Sequence, residues 1–419
     1  MSKNEPSKEK LSTESYKGVR DFYPEDQAFL NYLFATCRTV AKRFGYVEYG
    51  ASILEPAELY KAKGADNEEL VNEQTYTFTD RGGREVTLRP EMTPTVARMV
   101  SAKRRELGYP LRLFSIPNLF RYERPQRGRL REHWQLNVDL FGSQTRAADA
   151  EIIQVAYEIL KAFGAEEKDF VIKLGSRAYI EALAAECALT EEDTRKLVGL
   201  LDRKNKIEKS EFEAGLAELG VPLEKLNGEQ VPADVQAVLD TLAAGGVGNA
   251  VFDPSIVRGF AYYTGVVFEV YDTHKDNNRA LFGGGRYDNL TALFDDTPIV
   301  GVGFGMGDTM VYHFLEVRGL LPAYSAPTHA YLAVATEAEV PHALAIAGEL
   351  RAAGVNVAVD FGEKKLADQI KTAVKHSIPY LIVVGANEIA SGTFGIRNLL
   401  NGTEAPHTRE ELAAFFLSL

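Results

Sequence analysis

The stretch FRYERPQRGRLREHWQLNVDLFG, Phe120 to Gly142, decides how the rest of the chain is read. Five arginines (Arg121, Arg124, Arg127, Arg129 and Arg131) fall within eleven residues, and the sequence then turns apolar. Arginine carries a planar fork of donors that fits phosphate oxygens, so this density points to a phosphate-rich ligand, although a solvated basic loop would share the composition. Pro125 and Gly128 interrupt helices and strand ladders alike, so PQRGR is predicted to form the tip of a hairpin. Its flanks, SIPNLFRY and WQLNVDLFG, alternate as half-buried strands do. Gln135 and Asp139 continue the second strand at even spacing, which puts both on one face, where an apolar strand has no structural use for them. A floor of sheet with convergent polar groups under an arginine loop outlines a nucleotide site.

The whole chain sets the limits. Its 419 residues imply two or three domains, and 45% hydrophobic with 25% charged residues is ordinary for a soluble globular protein. A net charge of -12 argues against a nucleic-acid coat or a membrane-surface protein, so a polyanion must meet a local patch. Residues 101–131 supply one, with nine Lys and Arg against two acids, a local balance of +7. Two cysteines far apart, Cys37 and Cys187, make no disulfide framework, and the seven histidines show no metal-binding spacing. The N-terminal residues have no apolar signal segment and no run approaches a membrane span, so a cytoplasmic location is expected.

Residues 1–15 are expected to be a disordered lead. A helix is predicted from Pro24, with Glu25 and Asp26 in its first turn, to a stop at Gly45, then a strand over Tyr46–Leu54. Thr75–Thr79 and Glu85–Leu88 form a hairpin around Asp80-Arg81-Gly82-Gly83. Glu91 and Thr93 follow on a loop before a helix from Pro94, where Glu91 would favour the helix dipole and Thr93 would serve as its N-cap if neither binds a ligand. Residues 170–250 are acid-rich and are predicted to be a helical insertion. Sheet patterning returns at Val251, and Gly283-Gly284-Gly285 fits a bulge or tight turn. Gly301 to Asp308, GVGFGMGD, spaces its glycines alternately, which bares one sheet face for a flat ligand. LPAYSAPT (321–328) has linker composition, and the strand–helix alternation over 329–419 is a small α/β domain whose Lys364, Lys371 and Lys375 share a helical face.

RPEMT (89–93), FRYERPQRGRLREHWQLNVD (120–139), VRGFAYYTG (257–265) and GGGRYD (283–288), in this order and spacing, resemble the signature motifs of histidyl-tRNA synthetases, a class II aminoacyl-tRNA synthetase family. The resemblance implies an α+β fold: a class II antiparallel sheet flanked by helices over 16–320, the insertion 170–250 within it, and an anticodon-binding domain over 329–419. It implies that ATP, accompanied by Mg2+, converts L-histidine to histidyl-adenylate, that the histidyl group passes to the histidine tRNA, and that the chain forms a homodimer around Ser52. By position, Glu91, Thr93 and Gln135 would hold the histidine ammonium, and Asp139, Tyr263 and Tyr287 would read the imidazole. Arg121 would grip the α-phosphate, Glu123 would face the adenine, Arg129 would reach the outer phosphates, and Arg258 would be the catalytic arginine. Arg124, Gln126 and Arg131 fall where the motif 2 loop meets the acceptor end of the tRNA.

The chain departs from the pattern at several positions. Asp139 stands for the usual Glu, Ala261 for a frequent Asp, and Ser52 for the motif 1 proline. Met310 stands where motif 3 carries an arginine on the γ-phosphate, and Asp308 beside it is the carboxylate to expect near Mg2+. A different class of protein, a histidine-sensing paralogue like the regulatory subunit of ATP phosphoribosyltransferase, would share the core. It would lack the C-terminal domain and the motif 2 arginines, both of which this chain has.

Overall fold

The computed structural model describes residues 10–61, 74–124, 128–204, 207–226, 230–258, 262–277 and 279–419. The chain divides into two compact units, Met1–Pro322 and Ala323–Leu419. The first unit begins with helix α1 (Pro24–Arg43), strands β1 (Val47–Glu48) and β2 (Leu54–Pro56), the single turn α2 (Glu58–Lys61), β3 (Tyr76–Thr79) and β4 (Glu85–Leu88). Next come α3 (Thr93–Ala102), β5 (Leu111–Ser115), β6 (Asn118–Phe120), β7 (Glu132–Phe141), α4 (Arg146–Ala162) and β8 (Phe170–Ser176). Four helices, α5 (Arg177–Glu186), α6 (Glu191–Asp202), α7 (Lys209–Glu218) and α8 (Ala233–Ala244), precede β9 (Ala250–Phe252). The unit ends with β10 (Val266–Asp272), β11 (Ala280–Arg286), β12 (Gly301–Gly307) and α9 (Asp308–Val317).

A nine-stranded sheet runs in the order β1-β5-β7-β12-β11-β10-β8-β9, with β6 paired to the start of β7. Its ladders are antiparallel except at the two edges, where β1 pairs β5 and β8 pairs β9 in parallel. Side chains alternate along β7. Leu136, Val138 and Leu140 join Val302, Phe304 and Met306 of β12 in the main core, against Leu33 and Val40 of α1 and Ile152 and Ile159 of α4. Each such aliphatic side chain, fully buried, contributes about 1.5–3 kcal/mol. Gln135, Asn137 and Asp139 therefore face the other way, where the three-stranded sheet β2-β4-β3 and α3 flank the site.

Three expectations change. Residues 170–250 are not helical throughout: Phe170–Ser176 is a strand of the main sheet, pairing β10 along its full length. Tyr46–Leu54 is not one strand but is split between two sheets, with Ser52 in the gap accepting a hydrogen bond from the Leu54 N–H at 3.2 Å. Gly283, Gly284 and Gly285 form neither bulge nor turn but sit in regular register within β11, opposite Glu269, Phe268 and Val267.

Arg286, the arginine of GGGRYD, is a clamp. Its guanidinium is 2% exposed, bonds both carboxylate oxygens of buried Asp149 on α4 at 2.9 and 3.0 Å, and reaches the Ser143 carbonyl at 2.9 Å. Arg286→Ala leaves Asp149 charged and buried with only Arg146 at 3.3 Å, so the unit should lose about 3–5 kcal/mol, read as a drop in the denaturation midpoint. A midpoint shift of a few tenths of a kcal/mol would contradict this role.

The second unit comprises β13 (Ala330–Val334), α10 (Val340–Ala352), β14 (Val357–Val359), α11 (Leu366–Lys375), β15 (Tyr380–Val384), α12 (Ala386–Ser391), β16 (Thr393–Asn398), β17 (Glu404–Thr408) and α13 (Glu411–Leu417). Its sheet order is β14-β13-β15-β16-β17, parallel over the first three strands and antiparallel over the last two. The predicted α/β alternation holds, with β17 as an additional strand. Fully buried Gln369 of α11 bonds the Val334 N–H at 2.9 Å and its carbonyl at 2.8 Å, which fixes that helix on the sheet. Lys364, Lys371 and Lys375 are exposed, Lys371 pairing Asp368 at 2.9 Å.

Candidate active site

The floor of the site is set by strand register. On β7, Gln135, Asn137 and Asp139 lie opposite Gly307, Gly305 and Gly303 of β12, and Gly305 and Gly303 lie in turn opposite Gly283 and Gly285. The polar row stays exposed to a ligand because its neighbours have no side chains. A Cβ at Gly305 would fall 1.9 Å from Gln135 Nε2, and one at Gly303 would fall 2.5 Å from both Asp139 Oδ1 and the Val138 carbonyl. Above this floor is a cleft of about 390 Å³ that gathers Glu91, Thr93, Arg121, Gln135, Asp139, Arg258, Tyr263 and Tyr287 from five separate segments. All eight were named from the sequence.

One end is a pocket built for an N–H donor. Asp139 is 3% exposed; Tyr287 donates its hydroxyl to Oδ1, and Oδ2, also buried, has no partner among the described residues. Burial pushes the carboxyl up to about 7, against the opposing pull of the Tyr287 hydrogen bond. Tyr287 is itself held well above its ordinary range by burial and by the Asp139 charge, so it remains the donor. Tyr262 packs between Tyr263, at a ring distance of 4.7 Å, and Tyr287, at 6.0 Å edge-on. A flat ring carrying N–H groups meets aromatic walls and an acceptor without a partner here.

Glu91 stands beside that pocket on the RPEMT loop. Arg89, 6% exposed, pins the loop by donating to the Ala51 carbonyl at 2.8 Å, the Ser52 carbonyl at 3.1 Å and the Asn118 carbonyl at 3.2 Å. Tyr60 donates to the Glu91 carbonyl at 3.2 Å, and the Glu91 carboxylate is 3.4 Å from the Tyr262 hydroxyl. Thr93 is not the N-cap of α3. Met92 occupies that position and Thr93 is the first helical residue, its side chain directed into the cleft.

Two arginines supply positive charge to the cleft. Arg121 donates from Nε to the Pro90 carbonyl at 2.8 Å, which aims the remainder of its fork inward. Arg258 has φ 57°, a left-handed conformation that costs a side-chain-bearing residue on the order of 1 kcal/mol and concentrates at functional sites. Its Nη1 donates to Glu269 Oε1 at 2.9 Å, Tyr271 holds the other Glu269 oxygen at 2.6 Å, and its buried Nε has no partner among the described residues.

The remaining predicted residues lie on the hairpin. Glu123 and Arg129 form an ion pair at 3.5 Å. Arg124 is exposed, and Gln126 lies outside the described residues. Arg131 is engaged at the hairpin base: its guanidinium lies 4.1 Å from the Tyr122 ring centroid, Nη1 donates to the Tyr16 hydroxyl at 2.9 Å, and Nε donates to the Glu123 carbonyl at 3.2 Å. Both carboxylate oxygens of Asp308 have protein partners. Its Oδ2 pairs with Arg20 Nη2 at 2.6 Å and its Oδ1 accepts from the Trp134 N–H at 3.0 Å. Among the described residues no three carboxylate, histidine or cysteine groups converge as a metal site.

Sequence reasoning missed four contributors. Asn137 shares the period-two face of Gln135 and Asp139 and was findable by that signal. Tyr262, Glu269 and Arg20 gave none, because their roles depend on contacts between distant segments.

Residues 18–309 match the histidyl-tRNA synthetase family model, and residues 329–419 match an anticodon binding domain model. A histidine--tRNA ligase of Leptospira biflexa is 40% identical over 413 residues, 93% of this chain and 94% of its own. One from Thermoplasma volcanium is 35% identical over 428 residues, covering 97% of this chain and 98% of its own. The crystal structure of a histidyl-tRNA synthetase from Nostoc sp. PCC 7120 has the same fold, with a TM-score of 0.79 at 21% identity over 97% of this chain and 99% of that one.

Proposed function

The chain belongs to the histidyl-tRNA synthetase family, and we propose that it works as a histidine–tRNA ligase through the cleft above the β7–β12 floor. The observation that carries this reading is Asp139 Oδ2, a buried acceptor without a partner at one end of a cleft whose other groups include two arginines. The imidazole of L-histidine completes Asp139, and Tyr263 and Tyr287 wall it. Its ammonium is held by Glu91, Thr93 and Gln135. This leaves the carboxylate directed toward Arg121 and Arg258.

Adenylation then needs little from the protein beyond positioning and charge. A histidine carboxylate oxygen attacks the α-phosphorus of ATP, a new P–O bond forms, and the bond to the β-phosphate oxygen breaks, releasing pyrophosphate. Negative charge spreads over the α-phosphate between two anions, and fixed guanidinium groups stabilise it more in the transition state than before. Glu123 faces the adenine and Arg129 the outer phosphates. Mg2+ accompanying ATP would supply further charge neutralisation at the phosphates. In the second step a 3′-terminal ribose hydroxyl of the tRNA attacks the adenylate carbonyl and AMP leaves. Arg124 and Gln126 contribute to the acceptor-end surface, Arg131 braces the hairpin base beneath them, and the second unit binds the anticodon. The protein is proposed to be cytoplasmic and homodimeric about the Ser52 segment; among the described residues no helix is long and apolar enough to cross a membrane. The anticodon-domain match over 329–419 weighs against a regulatory histidine sensor.

The test is histidine-dependent exchange of labelled pyrophosphate into ATP. Folded protein that binds histidine without exchange would sink the enzyme reading. Arg124→Ala should slow transfer to tRNA by roughly tenfold or more, the scale of one lost charge-assisted contact, and leave exchange intact. Equal damage to both steps would refute its place at the acceptor end.

A further inference from the structure

Met310 cannot serve a phosphate. It packs against the main core, and its sulfur lies 2.3 Å from where a Cβ on Gly128 would stand, so its side chain is spent supporting the hairpin. Beside it, Thr309 donates its hydroxyl to the Gly128 carbonyl at 3.2 Å. A different cation reaches this corner from the far end of the sequence. We propose that Arg20, in the segment before α1, binds the outer phosphates of ATP during adenylation.

Four observations place it there. Arg20 bonds Asp308, the residue directly after Gly307, where the bare glycine row of the floor ends opposite Gln135. The space over Gly307 is open, with no atom of the described residues within 4 Å of an added Cβ. Arg20 also shares the surroundings of Arg121: buried His133 is pushed down to about 3 by desolvation first, then by the Arg121 charge and the Arg20 charge. Finally, the guanidinium, whose carbon lies 4.9 Å from the Phe22 ring centroid, has hydrogen-bond donors to spare. Nη2 alone has a hydrogen-bond partner among the described residues, Nε is buried without one, and the side chain is 31% exposed. A fork with donors to spare is suited to phosphate oxygens.

The segment is also bonded to the base of the hairpin. The Gly18 carbonyl accepts from the Arg131 N–H at 2.8 Å, and Tyr16 holds the Arg131 guanidinium. Arg20 is therefore tied to the hairpin that carries Arg121 and Arg129.

This assignment rests on the ligase reading and is tested by exchange kinetics on the full chain. Arg20→Ala should raise the KM for ATP by roughly tenfold or more, the scale of one charge-assisted contact, while the KM for histidine and inhibition by AMP stay within about twofold. AMP lacks the outer phosphates, so it separates a lost phosphate contact from a collapsed site. Parallel weakening of ATP and AMP, or unchanged ATP kinetics, would overturn the proposal. The rival explanation is that Arg20 only neutralises Asp308. Arg20→Ala/Asp308→Asn removes the buried charge and should keep the ATP defect; wild-type ATP kinetics in that double variant would overturn the assignment, even where the single variant fails to fold. Absence of exchange in the wild-type protein would instead defeat the ligase reading itself.

Discussion

Arg258→Ala should lower the rate of histidine-dependent pyrophosphate exchange by roughly 10²–10³-fold, the cost of removing one preorganised donor at a developing charge. The KM for histidine should stay within about threefold, because a contact that strengthens only in the transition state acts on rate and not on ground-state binding. The geometry makes the test clean. Glu269, the partner Arg258 leaves behind, keeps its 2.6 Å hydrogen bond from Tyr271, which satisfies one carboxylate oxygen once the guanidinium is gone. The substitution removes a guanidinium 5.9 Å from the Tyr263 ring centroid, while Tyr262 still packs on both Tyr263 and Tyr287 to hold the walls of the imidazole pocket. Arg258→Lys should recover little, because a lysine cannot reproduce a fork that donates to Glu269 through Nη1 while another donor faces the cleft. A large rise in histidine KM with a normal exchange rate would make Arg258 a ground-state ligand and remove it from the chemistry.

What could be seen without coordinates depended on how local the signal was. Gln135 and Asp139 were legible because period two fixes a face, and polar residues on an otherwise apolar strand have to be accounted for. The alternating glycines of β12 announced a bare floor, but which polar row they uncover required the register between β12 and β7. Phe170–Ser176 was absorbed into the acid-rich region that follows, although FVIKLGS carries strand alternation; seven residues are too few to outweigh a long helical neighbourhood. The triple glycine misled for a physical reason. Glycine tolerates turns, yet here it is required by close approach, since a Cβ at Gly284 would lie 2.0 Å from the Gly303 carbonyl of the next strand. Arg131 shows the limit of composition as a guide: it counts in the basic patch, but its charge is stacked on Tyr122 and bonded to Tyr16. Arg20 shows the converse, because only the fold brings residue 20 against residue 308.

Asp139→Asn should raise the KM for histidine by roughly 10- to 100-fold, the range for a hydrogen bond to a charged partner, and at the same time make the empty protein more stable above neutral pH. The second effect follows from linkage. Burial holds the folded carboxyl at about 7, whereas an unfolded Asp titrates at about 3.9. Between those values the folded state binds more protons than the unfolded one, so stability falls as pH rises through that window and levels off above it. Asparagine carries no such charge. Its thermal midpoint should match the wild type near pH 4 and exceed it near pH 8, with Tyr287 still donating to the amide oxygen. The same ionisation shapes substrate capture. On the acid side, Asp139 and the free imidazole, whose ordinary pKa is about 6.5, both take up protons, and the bound pair has room for only one between them. The acid limb of log kcat/KM for histidine should therefore rise with a slope of about one in the wild type, because binding releases one of the two protons. A variant that is less stable than the wild type at pH 8, or that keeps the wild-type histidine KM, would show that Oδ2 is not the acceptor for the imidazole. The stability that Asp139 gives up in the empty protein is then the cost of keeping an unpartnered acceptor ready for one substrate, and apolar amino acids, which cannot satisfy it, are rejected by the same burial.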